Sequence, residues 1–301
     1  MRTEAQRIAA AEDTARGTSN ACAAIHPFYW ELGDGSAALA SGAVGGAAYG
    51  ADTSMNIASA SKWLYGAYVT EVRDGLFSDE DVKYLTFRSG YTSFRICLPG
   101  DTVSECADRL VNRAYNAADD GFFYYGGGHM QRHASTLGLG PLDDAALAAE
   151  MQRVLGSDIV LSYSQPQLAG GAVTTAADYA RFLRKLLGGD LQVASALGTH
   201  AVCTNPSTCD AAHSTPIPTD ESWHYSIGHW VEDDPLVGDG AFSSPGAFGF
   251  YPWIDAGKTI YGIIARKEGQ GDDGAAESPA YVESVHCGRL IRKAWFAGVA
   301  Q

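Results

Sequence analysis

Ser59 and Lys62 stand three residues apart in the tetrad Ser59-Ala60-Ser61-Lys62, inside the apolar run Ile57-Ala-Ser-Ala-Ser-Lys-Trp-Leu-Tyr-Gly66. A lysine in what reads as the start of a buried helix costs free energy unless it is paired or neutralised. Either it snorkels to solvent with its stem packed, or its amine is wanted beside a serine hydroxyl. The spacing puts Ser59 and Lys62 on one helical face, with Ser59 near the positive N-terminus. A neutral or proton-sharing amine can accept the serine proton, and the helix end favours a developing oxyanion. Ser61 points about 200° away around the same helix. Taken alone, the tetrad reads equally as a capping serine and a snorkelled lysine.

The elements that must position this pair alternate along the chain. Residues 3–16 carry helical spacing, and 25–50 read as two strands around the turn Gly33-Asp-Gly-Ser36. From Ser61 to about Arg73 the pattern is helical, stopped by Gly75. The stretches 142–156 and 174–189 are amphipathic helices with glycine stops. Strands return at 223–232, 246–255 and 258–268, with Tyr225, Ile227 and His229 alternating as if on one strand face. A terminal helix follows, with Ser278 as its expected cap and Pro279 in its first turn. The simplest reading is α+β: a sheet lobe from residues 1–75 and 215–301, and an inserted, mostly helical lobe from 76–214.

Composition sets the outer bounds. A chain of 301 residues with 46% apolar and 19% charged residues is globular and can bury a large core. Its formal charge of −14 argues against nucleic acid or an anionic membrane as a partner. No run of about 18 apolar residues indicates a membrane span. Cys97/Cys106 and Cys203/Cys209 bracket short turn-rich segments, as loop-closing disulfides do. That pattern fits a secreted or periplasmic protein whose signal peptide has been removed; six reduced cysteines in a cytosolic protein is the alternative.

Several further segments, in order, resemble the serine β-lactamase-like superfamily. That superfamily holds class C β-lactamases, D-alanyl-D-alanine carboxypeptidases, family VIII esterases and 6-aminohexanoate-dimer hydrolases. IASASKWLYG is similar to its nucleophile segment, and YLTFRSGYTSF (84–94) to its "LLTHTSGL" stretch. FFYYGGGHMQ (122–131) resembles the aromatic-x-Tyr-x-Asn/Gly segment. QLAGGAVTTAADYARFLRKLL (167–187) resembles the "AGGLxSTAxDxARFxxxLL" signature, and SSPGAFGFYPWID (243–255) falls at the Lys/His-Thr-Gly strand. The likeness spans roughly residues 25–295.

The resemblance implies a β-lactamase-like fold: an antiparallel sheet flanked by terminal helices, with the site between the two lobes. It makes Ser59 the acylated nucleophile, Lys62 its partner and Tyr124 the catalytic tyrosine, with Tyr125 the neighbour that could be mistaken for it. A phenol serves as a base near neutral pH only if a cation stabilises the phenolate, which Lys62 could do. Gly246 matches the glycine of the Lys-Thr-Gly strand, and the N–H groups of Ser59 and Ala247 would form the oxyanion hole. The plainer alternatives are a packed aromatic for Tyr124 and a bulged strand edge for Ser-Pro-Gly-Ala-Phe-Gly. Cys22 and Cys287 should sit close, because the superfamily's first and last helices share a sheet face.

Two departures shape the expected chemistry. Gly126 replaces the asparagine of Tyr-x-Asn, and Ser244-Pro245 replaces the Lys-Thr of Lys-Thr-Gly. A carboxylate-binding cation and an amide clamp are thereby lost, while acyl transfer is left intact. Gly126, Ser244, Gly246 and Trp253 are the expected substrate-binding residues, Trp253 as a cleft wall. His129, His224 and His229 lack metal-ligand spacing and read as core or cleft residues. The expected function is a secreted serine hydrolase cleaving a small-molecule or oligomeric ester or amide through an acyl-enzyme, without metal or organic cofactor. Its rivals are a β-lactamase or D-amino-acid peptidase, and a non-catalytic acyl-binding sensor.

Overall fold

The computed structural model describes residues 2–268 and 278–301. Its main sheet has eight strands in the order Ala38–Val44, Phe28–Gly33, Tyr261–Ala265, Tyr251–Ile254, Ala241–Ser243, Trp230–Glu232, His224–Tyr225, Val202–Cys203. Every pairing in it is antiparallel. Both chain ends build this sheet, as the alternation of elements predicts. The strand Phe28–Gly33, second from one edge, is buried along its whole length between Ala38–Val44 and Tyr261–Ala265.

The first helix Glu4–Ala15 and the terminal helix Ala280–Ala297 pack on each other and on the sheet, and Cys22–Cys287 fastens the 3-10 turn Ala21–Ile25 that follows the first helix to the terminal helix. The terminal helix has Pro279 as its N-cap, without a side-chain cap, so Ser278 lies one position too early to serve. Under this helix Trp253 is 1% exposed, with the Arg292 guanidinium 4.8 Å from its ring. A Cβ on Gly262 would come within 2.1 Å of that ring, so the glycine lets the indole lie flat on the next strand. Trp253 is therefore core beneath the terminal helix, and the expectation that it lines a cleft is corrected.

A second correction concerns residues 223–232. Gly228 adopts φ 74°, and the chain reverses there, pairing Tyr225 with Trp230 in a hairpin. Tyr225, Ile227 and His229 consequently do not share one strand face; a turn stood where alternation was read.

The helices Asp144–Leu155 and Ala176–Gly188 form where their spacing predicts, capped by Asp143 and Thr175. Two parts of the 76–214 stretch nevertheless join the sheet: the helix Ala176–Gly188 packs on Tyr261–Ala265, and Val202–Cys203 is the outermost strand. The Cys203–Cys209 disulfide thus sits at the sheet edge rather than among helices, while Cys97–Cys106 closes a loop onto the short helix Val103–Asp108. Three disulfides point to an oxidising compartment. No helix among the described residues is long and apolar enough to cross a membrane.

Between these parts runs the helix Ser61–Val72, buried on nearly every side. It approaches the hairpin closely: a Cβ on Gly66 would lie 2.5 Å from the Ile227 carbonyl oxygen. A small three-stranded sheet, Met55–Asn56, Ala172–Thr174 and Leu161–Tyr163, leads into its N-terminal end.

Candidate active site

The turn carrying Ser59 is shaped before the helix starts. Residues Ala58–Ala60 form a 3-10 turn, and Ala58 adopts φ 44°, a left-handed conformation that side chains disfavour. Asn56 holds it there, its Oδ1 accepting the Ala58 N–H at 2.7 Å. Ser59 is left half-buried just ahead of the helix. Ser61 turns inward instead, donating to the Ala58 carbonyl at 2.6 Å and accepting the Ala172 N–H at 3.2 Å. The two serines of the tetrad are therefore distinct: one faces a cavity and the other ties the turn to the small sheet.

Lys62 is 4% exposed. Its Nζ lies 2.8 Å from Ser59 Oγ and 2.7 Å from the Ala169 carbonyl oxygen. Burial disfavours the charged amine and pulls its pKa from 10.5 to about 7. The lysine does not snorkel; it sits beside the serine hydroxyl, close to neutrality.

Tyr125, rather than Tyr124, is the tyrosine at this pair. The Lys62 ammonium is 4.8 Å from the Tyr125 ring centre, and Tyr125 shares a cavity of about 80 Å³ with Ser59. Residues 123–125 run extended beside Ala212–Ser214, so consecutive side chains leave opposite faces and only one tyrosine can meet Ser59. Burial pushes the Tyr125 hydroxyl well above its ordinary range, while the Ser59 hydroxyl beside it acts in the opposite direction. Tyr124 is gripped by its backbone: its N–H donates to Phe87 O at 3.0 Å, and its carbonyl accepts from His129 at 2.9 Å.

The cavity is walled by Pro216, Ile217, Trp230, Pro245 and Tyr281, with Ala247 at the same wall as Ser59. Trp230 stacks on Tyr125 at 5.4 Å and fills the aromatic role expected of Trp253. Tyr281 donates to the Pro216 carbonyl at 2.5 Å, joining the terminal helix to the cavity wall. A Cβ on Gly246 would lie 2.2 Å from the Ile57 carbonyl oxygen, so only glycine lets this turn abut the nucleophile turn. Ser244 is 2% exposed and donates to the Ser59 carbonyl at 3.0 Å. It buttresses the nucleophile's backbone and does not line the cavity, unlike the substrate contact expected of it. A Cβ on Gly126 would meet nothing nearer than 3.8 Å, so that position leaves open space close to Tyr125.

The three candidate histidines His129, His224 and His229 are spent on protein partners. His229 Nε2 accepts the Gly198 N–H at 3.0 Å and Nδ1 donates to Ile227 O at 2.9 Å. His224 pairs with Asp233, and among the described residues no cluster of three or more His, Cys, Asp or Glu could hold a metal. Sequence reasoning missed Asn56, Ala169, Ile217 and Tyr281 as neighbours of the pair. Of these only Asn56, two residues before a strained turn, carried a local signal.

No family model and no curated protein matches this chain. Solved structures do. A D-amino acid amidase from Ochrobactrum anthropi SV3 superposes with TM-score 0.65 at 12% identity, over 93% of this chain and 99% of that one. The chain has the serine β-lactamase-like fold. A β-lactamase from Mycobacterium bovis matches with TM-score 0.58 at 13% identity, over 91% of this chain and 95% of that one. EstCE1, a hydrolase with promiscuous acyltransferase activity, matches with TM-score 0.56 at 14% identity, over 97% and 98%. With Tyr125 at Ser59, the residue two positions on is Gly127 rather than Gly126, and Ser244-Pro245 precedes Gly246.

Proposed function

We propose that this protein is a secreted serine hydrolase that cleaves an ester or amide of a small uncharged acyl group through an acyl-enzyme on Ser59. The observation that carries this is the contact of Ser59 Oγ with a buried lysine amine 2.8 Å away, whose pKa burial lowers to about 7. A lysine in that state holds a lone pair near neutral pH. The neutral amine donates an N–H hydrogen bond to the Ala169 carbonyl and turns its lone pair to the Ser59 hydroxyl. Ser59 Oγ then attacks the acyl carbon while its proton passes to the neutral Lys62 amine; Tyr125, kept as a phenol by burial, holds its own proton through this step.

The tetrahedral oxyanion would be met by the N–H groups of Ser59 and Ala247, which border one cavity. Tyr125 would give its phenolic proton to the leaving oxygen or nitrogen and recover one from the Lys62 ammonium, and the transfers would run in reverse when water enters. The site would lie between the sheet lobe and the helical lobe. An apolar wall of Pro216, Ile217, Pro245 and Trp230 suits an uncharged acyl chain better than a carboxylated one. The disulfides support a secreted or periplasmic setting.

The amide reading draws support from the amidase likeness, the ester reading from Gly127, which stands two residues after Tyr125 where the Tyr-x-Asn pattern has its amide clamp. A panel of p-nitrophenyl esters, anilides and nitrocefin, with intact-mass detection of the acyl-enzyme, tests this. Turnover of esters or anilides that vanishes in Ser59→Ala is expected. Nitrocefin hydrolysis at rates comparable to the esters would favour a β-lactamase instead. One stable acylation without turnover would make the protein a sensor.

A further inference from the structure

The segment 84–94 resembles a superfamily stretch but contributes no residue to the cavity, and the structure gives it a task. His129 is fully buried, and its Nδ1 lies 3.2 Å from the Ser89 backbone N and 2.7 Å from Ser89 Oγ. A backbone N–H can only donate, so Nδ1 is the acceptor and the ring proton sits on Nε2. That Nε2–H donates to the Tyr124 carbonyl at 2.9 Å. Burial lowers the imidazole pKa to about 4, so this tautomer persists at neutral pH.

Phe87 completes the clamp from the same segment. Its carbonyl accepts the Tyr124 N–H at 3.0 Å, and its backbone is held at φ 57°. Its ring stacks on His129 at 5.3 Å and meets Tyr125 edge-on at 5.4 Å. Both polar groups of the Tyr124 peptide are therefore fixed from one side, immediately before the residue that enters the cavity.

We propose that His129 is a positioning residue: its Nε2–H clamps the Tyr124 carbonyl and thereby sets the Tyr125 ring against Ser59 and Lys62. This rests on Tyr125 being the acid–base tyrosine of the proposed function. Displacing such a group by about 1 Å can cost about a hundredfold in rate.

The test compares His129→Gln with His129→Asn, each alone and combined with Tyr125→Phe, using one p-nitrophenyl ester that the parent turns over. A glutamine amide reaches about as far as Nε2 and can donate to the Tyr124 carbonyl; an asparagine amide reaches only toward Ser89. His129→Gln should keep kcat within about threefold, while His129→Asn should lose about ten- to a hundredfold in kcat with KM nearly unchanged. In the Tyr125→Phe background the asparagine penalty should shrink to about twofold or less, because the group it positions is gone. An equal penalty in both backgrounds, or glutamine as slow as asparagine, would overturn the proposal. So would a failure of both single variants to fold, which would make His129 a packing residue. If Tyr125→Phe alone matches the parent, it is the reading of Tyr125 that fails.

Discussion

Lys62 ties both activity and stability to pH, in adjoining windows, and both can be measured. Its amine titrates at about 7 in the fold against 10.5 when free. At pH 7 roughly half of the molecules would hold a neutral lysine, against about one in three thousand for an unperturbed one, on the order of a thousandfold more base. Acylation should therefore rise about tenfold per pH unit below 7 and level off above 8. The apparent pKa belongs to the coupled Ser59–Lys62–Tyr125 group. Stability follows from the same shift. The unfolded chain binds the lysine proton between pH 7 and 10.5 and the folded chain does not, so this group's contribution to stability rises with pH through that window. A fall from 10.5 to about 7 corresponds to at most about 5 kcal/mol of strain, fully felt below pH 7. Lys62→Met removes the amine and keeps most of the packing. It should abolish acylation yet raise the urea midpoint at pH 5–6, with the gain fading toward pH 10. Chemical denaturation across pH 5–10, beside a pH–rate profile of the parent, gives both readings. A rate profile with its midpoint near 10, or a Lys62→Met variant less stable than the parent at pH 5, would refute the buried near-neutral amine.

Other expectations are separable by single variants. Tyr125→Phe should slow acylation by a factor on the order of 10² to 10⁴ in stopped-flow burst kinetics, while Tyr124→Phe should stay within about threefold. Ser59→Ala should be inactive and folded. Ser61→Ala should remain active but lose about 1 kcal/mol in urea melts, because its hydroxyl bridges Ala58 and Ala172 inside the protein. Arg292→Met leaves Glu232, which is buried and bonded to Arg292 at 3.1 Å, with one fewer cation; it should cost about 3–5 kcal/mol by the same measurement. Thiol titration of the unfolded, unreduced protein should find no free cysteine, since all six pair.

What the sequence made legible was whatever repeats along the chain. Helical spacing located the helices Asp144–Leu155 and Ala176–Gly188, whose caps and glycine stops are local, and the tetrad placed Ser59 beside Lys62 because a 3-10 turn running into a helix keeps residues three apart on one side. Choices between neighbours were not legible. In Phe122-Phe-Tyr-Tyr125 both tyrosines are apolar-run residues, and which one faces Ser59 is decided by the pairing of residues 123–125 with Ala212–Ser214, almost a hundred residues away. Alternation misled at His229 for a related reason. Gly228 turns the chain, so residues that alternate in sequence do not share a face. Trp253 was misplaced because its partners, Gly262 and Arg292, belong to a different strand and to the terminal helix.

The same distinction explains why the site itself was only half readable. The reactive pair lies within one turn of the chain, but its surroundings converge from five distant places: Tyr125, the Pro216–Ile217 loop, Trp230, the Pro245–Ala247 turn and Tyr281 of the terminal helix. Each of these is held by a bond to another part of the chain, as Tyr281 is to Pro216 and Ser244 to the carbonyl of Ser59. A serine and lysine at this spacing are common; a lysine buried enough to lose its proton near pH 7 is not. That burial is supplied by the convergence, so the chemistry proposed for Ser59 is a property of the assembled fold rather than of the tetrad.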